Sequence, residues 1–496
     1  MSDDDTAPFD LDDAPVLPAA SLSSVTVVLG FFAGTLEVRG EVDGAPVSPT
    51  VAADLVTLRL PGCVFDPRAA CLRVPAFGYA DVVIKLVEHH KRKAIAAIDD
   101  RARRYDTMQL GTTTTRQPRD YQTDALTKWK QNKGRGVVVL PTGAGKTEVA
   151  LLAIADRQRA ALVIAPTLDL VRQWQQALQE RFDVDVGVVG GGEHTVLPLT
   201  VTTYDSAWAH MEHLGNRFGL VVFDEAHHLV SDSYALAARL CLAPYRLGLT
   251  ATPERTDGKD LLLNTLVGPI VLRKEINELE AQGFLADYDT ETIVVELSAE
   301  DRAAWEAARA TYKAFLLDAN ISLGGPRGWD NFIKRAAGSR EGRAALAAWR
   351  LQKRLAHASD KKLDVVDELI KKHPGQRTLI FTDDNATAFA VSRRFLVPVI
   401  THQTKLKERA ALLSAFAAGS LPILSTSRVL NEGVDVPDAQ VAIIISGTGS
   451  IREHVQRLGR ILRPRPGKRA ILYELVSANT GETFTSERRR DHIAYR

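Results

Sequence analysis

The strongest constraint on this chain is a junction. The apolar run Gly136-Val137-Val138-Val139-Leu140 stops at Pro141-Thr142-Gly143-Ala144-Gly145-Lys146-Thr147, and an apolar helical stretch follows from Val149 to Ala155. Strand, glycine turn and helix start arrive in that order, which commits the segment to a parallel βα unit buried on both faces. The turn carries chemistry as well. Gly143 and Gly145 let backbone N–H groups turn inward around phosphate oxygens, Lys146 suits the β and γ phosphates of ATP, and the Thr147 hydroxyl suits Mg²⁺. Leu140 stands where such loops more often carry glycine.

The same alternation continues downstream. Strand-like runs at Gly136 to Leu140, Ala161 to Ala165, Thr200 to Thr203, Leu220 to Phe223 and Arg246 to Leu249 are separated by helical stretches. A second series follows at Thr378 to Thr382, Val397 to Ile400, Ile423 to Ser425, Val441 to Ile445 and Ala470 to Val476, with a helical run from Glu408 to Ala417 among them. Each series predicts a parallel sheet with helices on both faces, so the chain reads as two tandem α/β domains with a cleft between them. Their expected spans are residues 111–285 and 286–496. A helical insertion at about 299–365 carries Trp305, Trp329 and Trp349, which at helical spacing are core residues before they are anything else, and is broken at Gly324-Gly325-Pro326. Ahead of both domains, residues 21–110 read as a small α+β accessory domain, with β-like runs at Val25 to Leu29 and Leu55 to Leu60 and a helix from Tyr79 to Asp99. Residues 1–20, rich in Asp, read as a solvated acidic tail.

Composition matters here for what it excludes. Sixty-two basic and 61 acidic residues nearly cancel, so a nucleic-acid partner must be held by local clusters rather than by bulk charge. Cys63, Cys71 and Cys241 fit neither a disulfide framework nor a zinc module, and a reducing cytoplasm is the expected compartment. The acidic N-terminus is the reverse of a secretory leader and no apolar run reaches membrane-span length, so no membrane partner is expected.

The strand Leu220 to Phe223 delivers Asp224-Glu225-Ala226-His227 to the sheet edge where ligands collect. Asp224 would hold Mg²⁺, and Glu225 would polarise the water that attacks the γ-phosphate. Without the phosphate loop the pair would read equally well as a helix cap. His227 and His228 have no further His or Cys at ligand spacing, so a coupling role for His227 is favoured over a metal site. Near the C-terminus, Gln456-Arg457-Leu458-Gly459-Arg460-Ile461-Leu462-Arg463 follows the loop Asn431-Glu432-Gly433-Val434-Asp435-Val436-Pro437. Arginines at i, i+3 and i+6 share roughly one helix face, and offered across the cleft they would stabilise a transferring phosphoryl group only on domain closure.

In chain order, Arg119-Asp120-Tyr121-Gln122, the Leu140 to Thr147 loop, Ala165-Pro166-Thr167, Thr202-Thr203-Tyr204, Asp224 to His227, Leu249-Thr250-Ala251-Thr252, Asn431 to Asp435 and Gln456 to Arg463 together resemble the ordered motifs of superfamily 2 helicases. The loop's Leu-Pro lead-in, the Arg246 to Arg255 run and the helical insertion resemble the XPB-like branch of archaeal and bacterial type. That resemblance implies two RecA-like domains and a motor that uses ATP and Mg²⁺. It implies that Gln122 reads adenine, that Thr142, Gly143, Ala144, Gly145, Lys146, Thr147, Gly433 and Asp435 line the nucleotide, and that Gln456 helps place the attacking water. Arg460 and Arg463 would be arginine fingers, while Thr250 and Thr252 would couple hydrolysis to strand movement. It further implies a DNA-gripping thumb in the insertion, a damage-recognition-like accessory domain, 3′ to 5′ polarity, and a DNA-repair nuclease as a possible partner. Where the branch has Arg-Glu-Asp, this chain reads Arg255-Thr256-Asp257.

Sequence-independent tracking needs phosphate contacts, for which Thr167, Arg172, Thr203, Thr404 and Arg428 are candidates. An ATP-dependent DNA helicase on single-strand or forked DNA is the leading expectation. A double-strand DNA translocase shares all of its ATPase residues, an RNA helicase is disfavoured by the branch resembled, and a non-hydrolysing scaffold by the intact Lys146, Asp224 and Glu225.

Overall fold

The computed structural model describes residues 22–113, 117–251, 261–275, 278–279, 287–323, 328–427, 439–446 and 469–482. These fall into two compact units, one of residues up to 138 with 147–272, the other of residues 139–146 with those from 273 onward.

In the first unit the accessory fold is a sheet whose strands run in the order Val64–Asp66, Cys71–Pro75, Thr35–Val42, Thr26–Phe32 and Ala97–Asp100, with Ala45–Pro46 paired beside Thr35–Val42. Its core is the alternating inward face Val27, Leu29, Leu36 and Val38. The helix Tyr79–Lys91 packs Tyr79, Val82 and Leu86 inward at helical spacing. Two expectations are corrected here. The helix ends at Lys91 rather than Asp99, because Ala97–Asp100 is drawn into parallel pairing with Thr26–Leu29. The run at Leu55 is a short 3₁₀ turn, Leu55–Leu58, continuing the Ser48-capped helix Pro49–Asp54. It buries Leu55 and Leu58, three apart, where a strand would bury alternate residues.

The tip of the first hairpin, Ala33 and Gly34, has positive φ at both positions, the geometry that lets a two-residue turn follow the strand twist. A Cβ at Gly34 would come within 2.5 Å of the Leu240 side chain, so the tip is seated on the following α/β domain. Asn216 Nδ2 donates to the Ala102 carbonyl at 2.8 Å, and the Arg104 N–H donates to the Asn216 carbonyl at 2.8 Å. The accessory fold is thereby fixed to the domain it precedes.

That domain holds an eight-stranded sheet in the order Glu193–His194, Gly187–Gly190, Leu199–Thr203, Ala161–Ala165, Leu220–Phe223, Tyr245–Thr250, Arg135–Val139 and Ile270–Arg273. Gly187–Gly190, Leu199–Thr203, Ala161–Ala165, Leu220–Phe223 and Tyr245–Thr250 pair in parallel. The central strands are buried along their whole length, as unbroken apolar runs require. One arginine is enclosed by backbone carbonyls. Arg246 is fully buried and donates to the carbonyls of Ala243 (3.1 Å), Ala238 (3.0 Å), Leu266 (2.9 Å) and Cys241 (2.5 Å). It ties the helices Ala235–Arg239 and Leu261–Leu266 to the Tyr245–Thr250 strand. Burial pushes its guanidinium down to about 10, still charged at neutral pH.

The second unit has a six-stranded sheet in the order Asp287–Val295, Arg469–Ser477, Val441–Ile444, Thr378–Phe381, Ile423–Thr426 and Val399–Ile400, with every pairing parallel. The helices Ala299–Asp318, Gly328–Gly338 and Arg340–His357 form a separate small core of Ala308, Tyr312, Phe332, Ala336, Ala345 and Ala348. Trp305 is buried, Trp349 half-buried, and Trp329 lies exposed against Trp349 with ring centroids 4.5 Å apart. Gly324-Gly325-Pro326 lies outside the described residues. The helix Asp360–Lys372 packs Leu363, Val366 and Leu369 into the sheet's own core, so the insertion ends at His357, some residues earlier than the pattern suggests.

Where the insertion rejoins the sheet, buried charges meet. Lys362 Nζ donates to Glu482 (2.6 Å) and to the Ile445 carbonyl (2.8 Å), and Lys353 pairs with Asp383 at 2.7 Å. His357 sits between the two carboxylates, 3.6 Å from Glu482 and 3.9 Å from Asp383. Burial holds its imidazole below the ordinary value, with Lys362 and Lys353 acting in the same direction and Glu482 and Asp383 against. A histidine with a depressed folded value binds fewer protons folded than unfolded, so stability is present at neutral pH and declines as pH falls below about 6.5. Thermal melts of wild type and His357→Gln should therefore converge as pH drops from 7.5 to 5.5. A gap independent of pH would refute the assignment.

Candidate active site

The loop after the Arg135–Val139 strand has Gly143 at φ 86° and Gly145 at φ 82°, a left-handed backbone that favours glycine, and the Ala144 N–H between them donates to the Pro141 carbonyl at 3.2 Å. The Thr142 hydroxyl is buried there with no hydrogen-bond partner, and Lys146 Nζ rests 3.3 Å from the Leu140 carbonyl, at the start of the helix Lys146–Arg157. A buried hydroxyl without a partner, a turn with left-handed backbone at two glycines and a lysine at a helix N-terminus fit a nucleotide phosphate group. Thr147, in the helix's first turn, is exposed. Gln122 is buried, and its carboxamide oxygen accepts from the Arg119 N–H at 2.8 Å, which fixes the plane of its amide at the start of the helix Asp120–Gln131.

The Leu220–Phe223 strand ends in Asp224 and Glu225, both buried. Asp224 is held from three sides. The Trp174 indole N–H donates to Oδ2 at 2.8 Å, the Glu225 N–H donates to Oδ1 at 3.0 Å, and the Tyr204 hydroxyl donates to the Asp224 carbonyl at 2.9 Å. Burial, with the charges of Asp224 and Glu225 behind it, holds the Tyr204 phenol well above its ordinary value, so it stays a neutral donor. Glu225 itself lies in the left-handed region at φ 45° and ψ 55°. For a glutamate such a conformation costs on the order of 1–3 kcal/mol, and strain of this kind collects at functional sites. His227 is buried, with Nδ1 3.1 Å from Thr250 Oγ1 and 3.4 Å from Glu225 Oε2. One imidazole thus reaches both Glu225 and the end of the next strand.

The strand-contact candidates have local duties. Thr167 caps the helix Leu168–Phe182 and Thr203 caps Tyr204–Leu214, each accepting a backbone N–H. Thr404 Oγ1 accepts from the Thr401 N–H at 3.0 Å, while Arg172 pairs with Glu193 and bonds Gln175 at 3.0 Å. Thr252, Arg428, Gly433, Asp435, Gln456, Arg460 and Arg463, and the Arg255-Thr256-Asp257 element, lie outside the described residues. Two residues not singled out from the sequence belong to this site's frame, Trp174 and Arg181, the latter in a buried ion pair with Glu148 at 3.0 Å. Trp174 and Arg181 sit seven residues apart on one helix, a spacing that reads only as core.

Comparison with known proteins bears on all three regions. Residues 29–102 match the Xeroderma pigmentosum group B helicase damage recognition domain, 115–255 the type III restriction enzyme res subunit, and 345–495 the ERCC3/RAD25/XPB C-terminal helicase. A protein of Sulfurisphaera tokodaii named DNA 3′-5′ translocase XPB2 is 42% identical over 373 residues, 75% of this chain and 84% of the relative. Proteins named DNA 3′-5′ helicase XPB from Kineococcus radiotolerans and Mycobacterium tuberculosis are 32% and 30% identical over 76% of the chain, which spans 62% and 64% of their lengths. A solved structure of yeast Dbp5 bound to RNA and ADP BeF3 overlays at a TM-score of 0.53 and 16% identity across 77% of this chain and 88% of that one, a likeness of fold. Taken with the ordered motifs and the geometry around Asp224 and Glu225, these matches show that the chain belongs to the XPB family of superfamily 2 helicases.

Proposed function

We propose that this protein is an ATP-dependent 3′ to 5′ DNA motor that separates strands, acting in DNA repair. The observation that carries the reading is the fixed acidic pair: Asp224 gripped through both carboxylate oxygens, and Glu225 held in a strained backbone conformation beside His227. Two carboxylates with separate surroundings suit separate tasks. Glu225 would take the proton of the attacking water, and Lys146 would hold the β and γ phosphates at the turn of Gly143 to Gly145. Asp224 and Thr147 would hold Mg²⁺, which when bound neutralises phosphate charge. Gln122 would recognise adenine, and Gly433 and Asp435 would line the nucleotide. Gln456 would help place the water, while Arg460 and Arg463 would stabilise the transferring phosphoryl group. Coupling would run from Glu225 through His227 to Thr250 and Thr252.

Strand contact would fall to Thr167, Thr203 and Thr404, whose hydroxyls can donate while accepting a capping N–H, and to Arg172 and Arg428. A repair nuclease as partner and a cytoplasmic setting complete the reading. No helix among the described residues is long and apolar enough to cross a membrane.

A second reading, translocation on duplex DNA without strand separation, is favoured by two observations. The 42%-identical relative is named a translocase, and Thr256 replaces the family's glutamate. ATPase stimulation by DNA against RNA establishes the nucleic acid. Displacement of a forked duplex strand supports the helicase reading, whereas triplex displacement without duplex unwinding supports the translocase. Stimulation by RNA alone would overturn both.

A further inference from the structure

Trp174 lies in the middle of the Leu168–Phe182 helix, is almost fully buried, and donates its indole N–H to Asp224 Oδ2 at 2.8 Å across 50 positions of sequence. A buried indole N–H needs an acceptor, and a backbone carbonyl would satisfy it. Here the acceptor is a buried carboxylate at the end of a central strand, and a bond to an ionised acceptor is roughly twice as strong as a neutral one. The other carboxylate oxygen, Oδ1, accepts from the Glu225 N–H at 3.0 Å. Donors on both oxygens fix the rotation of the carboxylate and so the direction of its remaining lone pairs.

The helix that carries Trp174 is itself pinned. Its N-terminus is capped by Thr167, and near its C-terminus Arg181 pairs at 3.0 Å with Glu148, the residue after Thr147 on the helix that opens at the phosphate loop. One helix therefore has buried links to both segments assigned to Mg²⁺. We propose that Trp174 is the positioning residue for Asp224, setting the carboxylate in the orientation that holds Mg²⁺ with the nucleotide. The inference rests on the reading of Asp224 as the Mg²⁺-holding group. Removing an outer partner of a metal-holding group lowers metal affinity by about 10–100-fold.

The test is nucleotide binding in the full-length chain, with no turnover. Protein stripped with EDTA is titrated with MgCl₂ in the presence of a fluorescent, slowly hydrolysed ATP analogue, and the Mg²⁺ midpoint for tight binding is read. Trp174→Phe keeps the buried ring and loses the N–H. Its midpoint should rise at least about tenfold while analogue affinity without Mg²⁺ stays at the wild-type value, and Trp174→His, which restores a ring N–H, should recover part of the shift. A merely structural tryptophan would weaken binding with and without Mg²⁺ alike, and that result overturns the proposal. So does an unchanged midpoint in Trp174→Phe when Asp224→Asn shifts it. If Asp224→Asn leaves the midpoint unmoved, the Mg²⁺ assignment fails and this inference with it. Trp174→Met replaces Trp174→Phe if melting shows the latter to be unfolded.

Discussion

Glu225→Gln should lower DNA-stimulated ATP turnover by about 10²–10⁴-fold, the usual worth of a positioned general base. The amide is close in size to the carboxylate, keeps the left-handed backbone occupied by a non-glycine residue, and removes only the proton-accepting charge. Nucleotide should therefore still bind, and the variant should trap a nucleotide-loaded state. Lys146→Ala should lower turnover by a comparable factor, about 10²–10³ or more, because a charge aimed at the phosphates is lost. It differs in weakening nucleotide binding as well. Steady-state hydrolysis with saturating DNA, beside equilibrium nucleotide binding, separates the two patterns. Unchanged turnover in either variant removes that residue from the site.

The largest effect on stability is expected at Arg246. Burying a lone guanidinium is costly, and replacing buried charges by apolar groups is often neutral when both partners are replaced. Here the partners are backbone carbonyls of Ala238, Cys241, Ala243 and Leu266, which no substitution at position 246 can remove. Arg246→Met fills much of the same volume but takes the guanidinium donors from those carbonyls, of which Ala238's also accepts from the Cys241 N–H at 3.4 Å. The loss should be several kcal/mol, at about 1–3 kcal/mol for each buried acceptor left without a partner. Arg246→Lys, with three donors on one nitrogen in place of a planar fork, should fall between. Thermal melts would report the loss, and hydrogen exchange across residues 235–250 would place it. Wild-type protection there in Arg246→Met would show that the clasp contributes little.

How legible all this was depended on the distance over which each feature is decided. Ala161–Ala165 and Leu220–Phe223 match their expected limits because a strand buried on both faces is a continuous apolar run bounded by turn residues. Asp224, Glu225, Gly143, Gly145 and Lys146 could be named because reactive residues and glycines leave local signatures. Ala97–Asp100 could not be placed, since its strand character comes from pairing with Thr26–Leu29, some 70 positions away. Leu55–Leu58 misled because leucine and valine serve a 3₁₀ turn and a strand equally. The same limit applied within the site. Trp174 meets Asp224, and Arg181 meets Glu148, only through tertiary packing, and nothing in the spacing of either residue distinguishes it from core.

The second sheet has a consequence for how this chain is made. Its edge strand Asp287–Val295 pairs along all nine residues with Arg469–Ser477, the last strand of the described chain. Until that partner leaves the ribosome, roughly 170 residues later, the early strand has no neighbour on that side. At roughly 5–20 residues per second the wait is on the order of tens of seconds, long beside the microseconds to milliseconds of elementary folding events. During translation Asp287–Val295 presents an unpaired strand to whatever else is nearby. Chaperone supply over the last third of synthesis should therefore raise the yield of correctly folded protein.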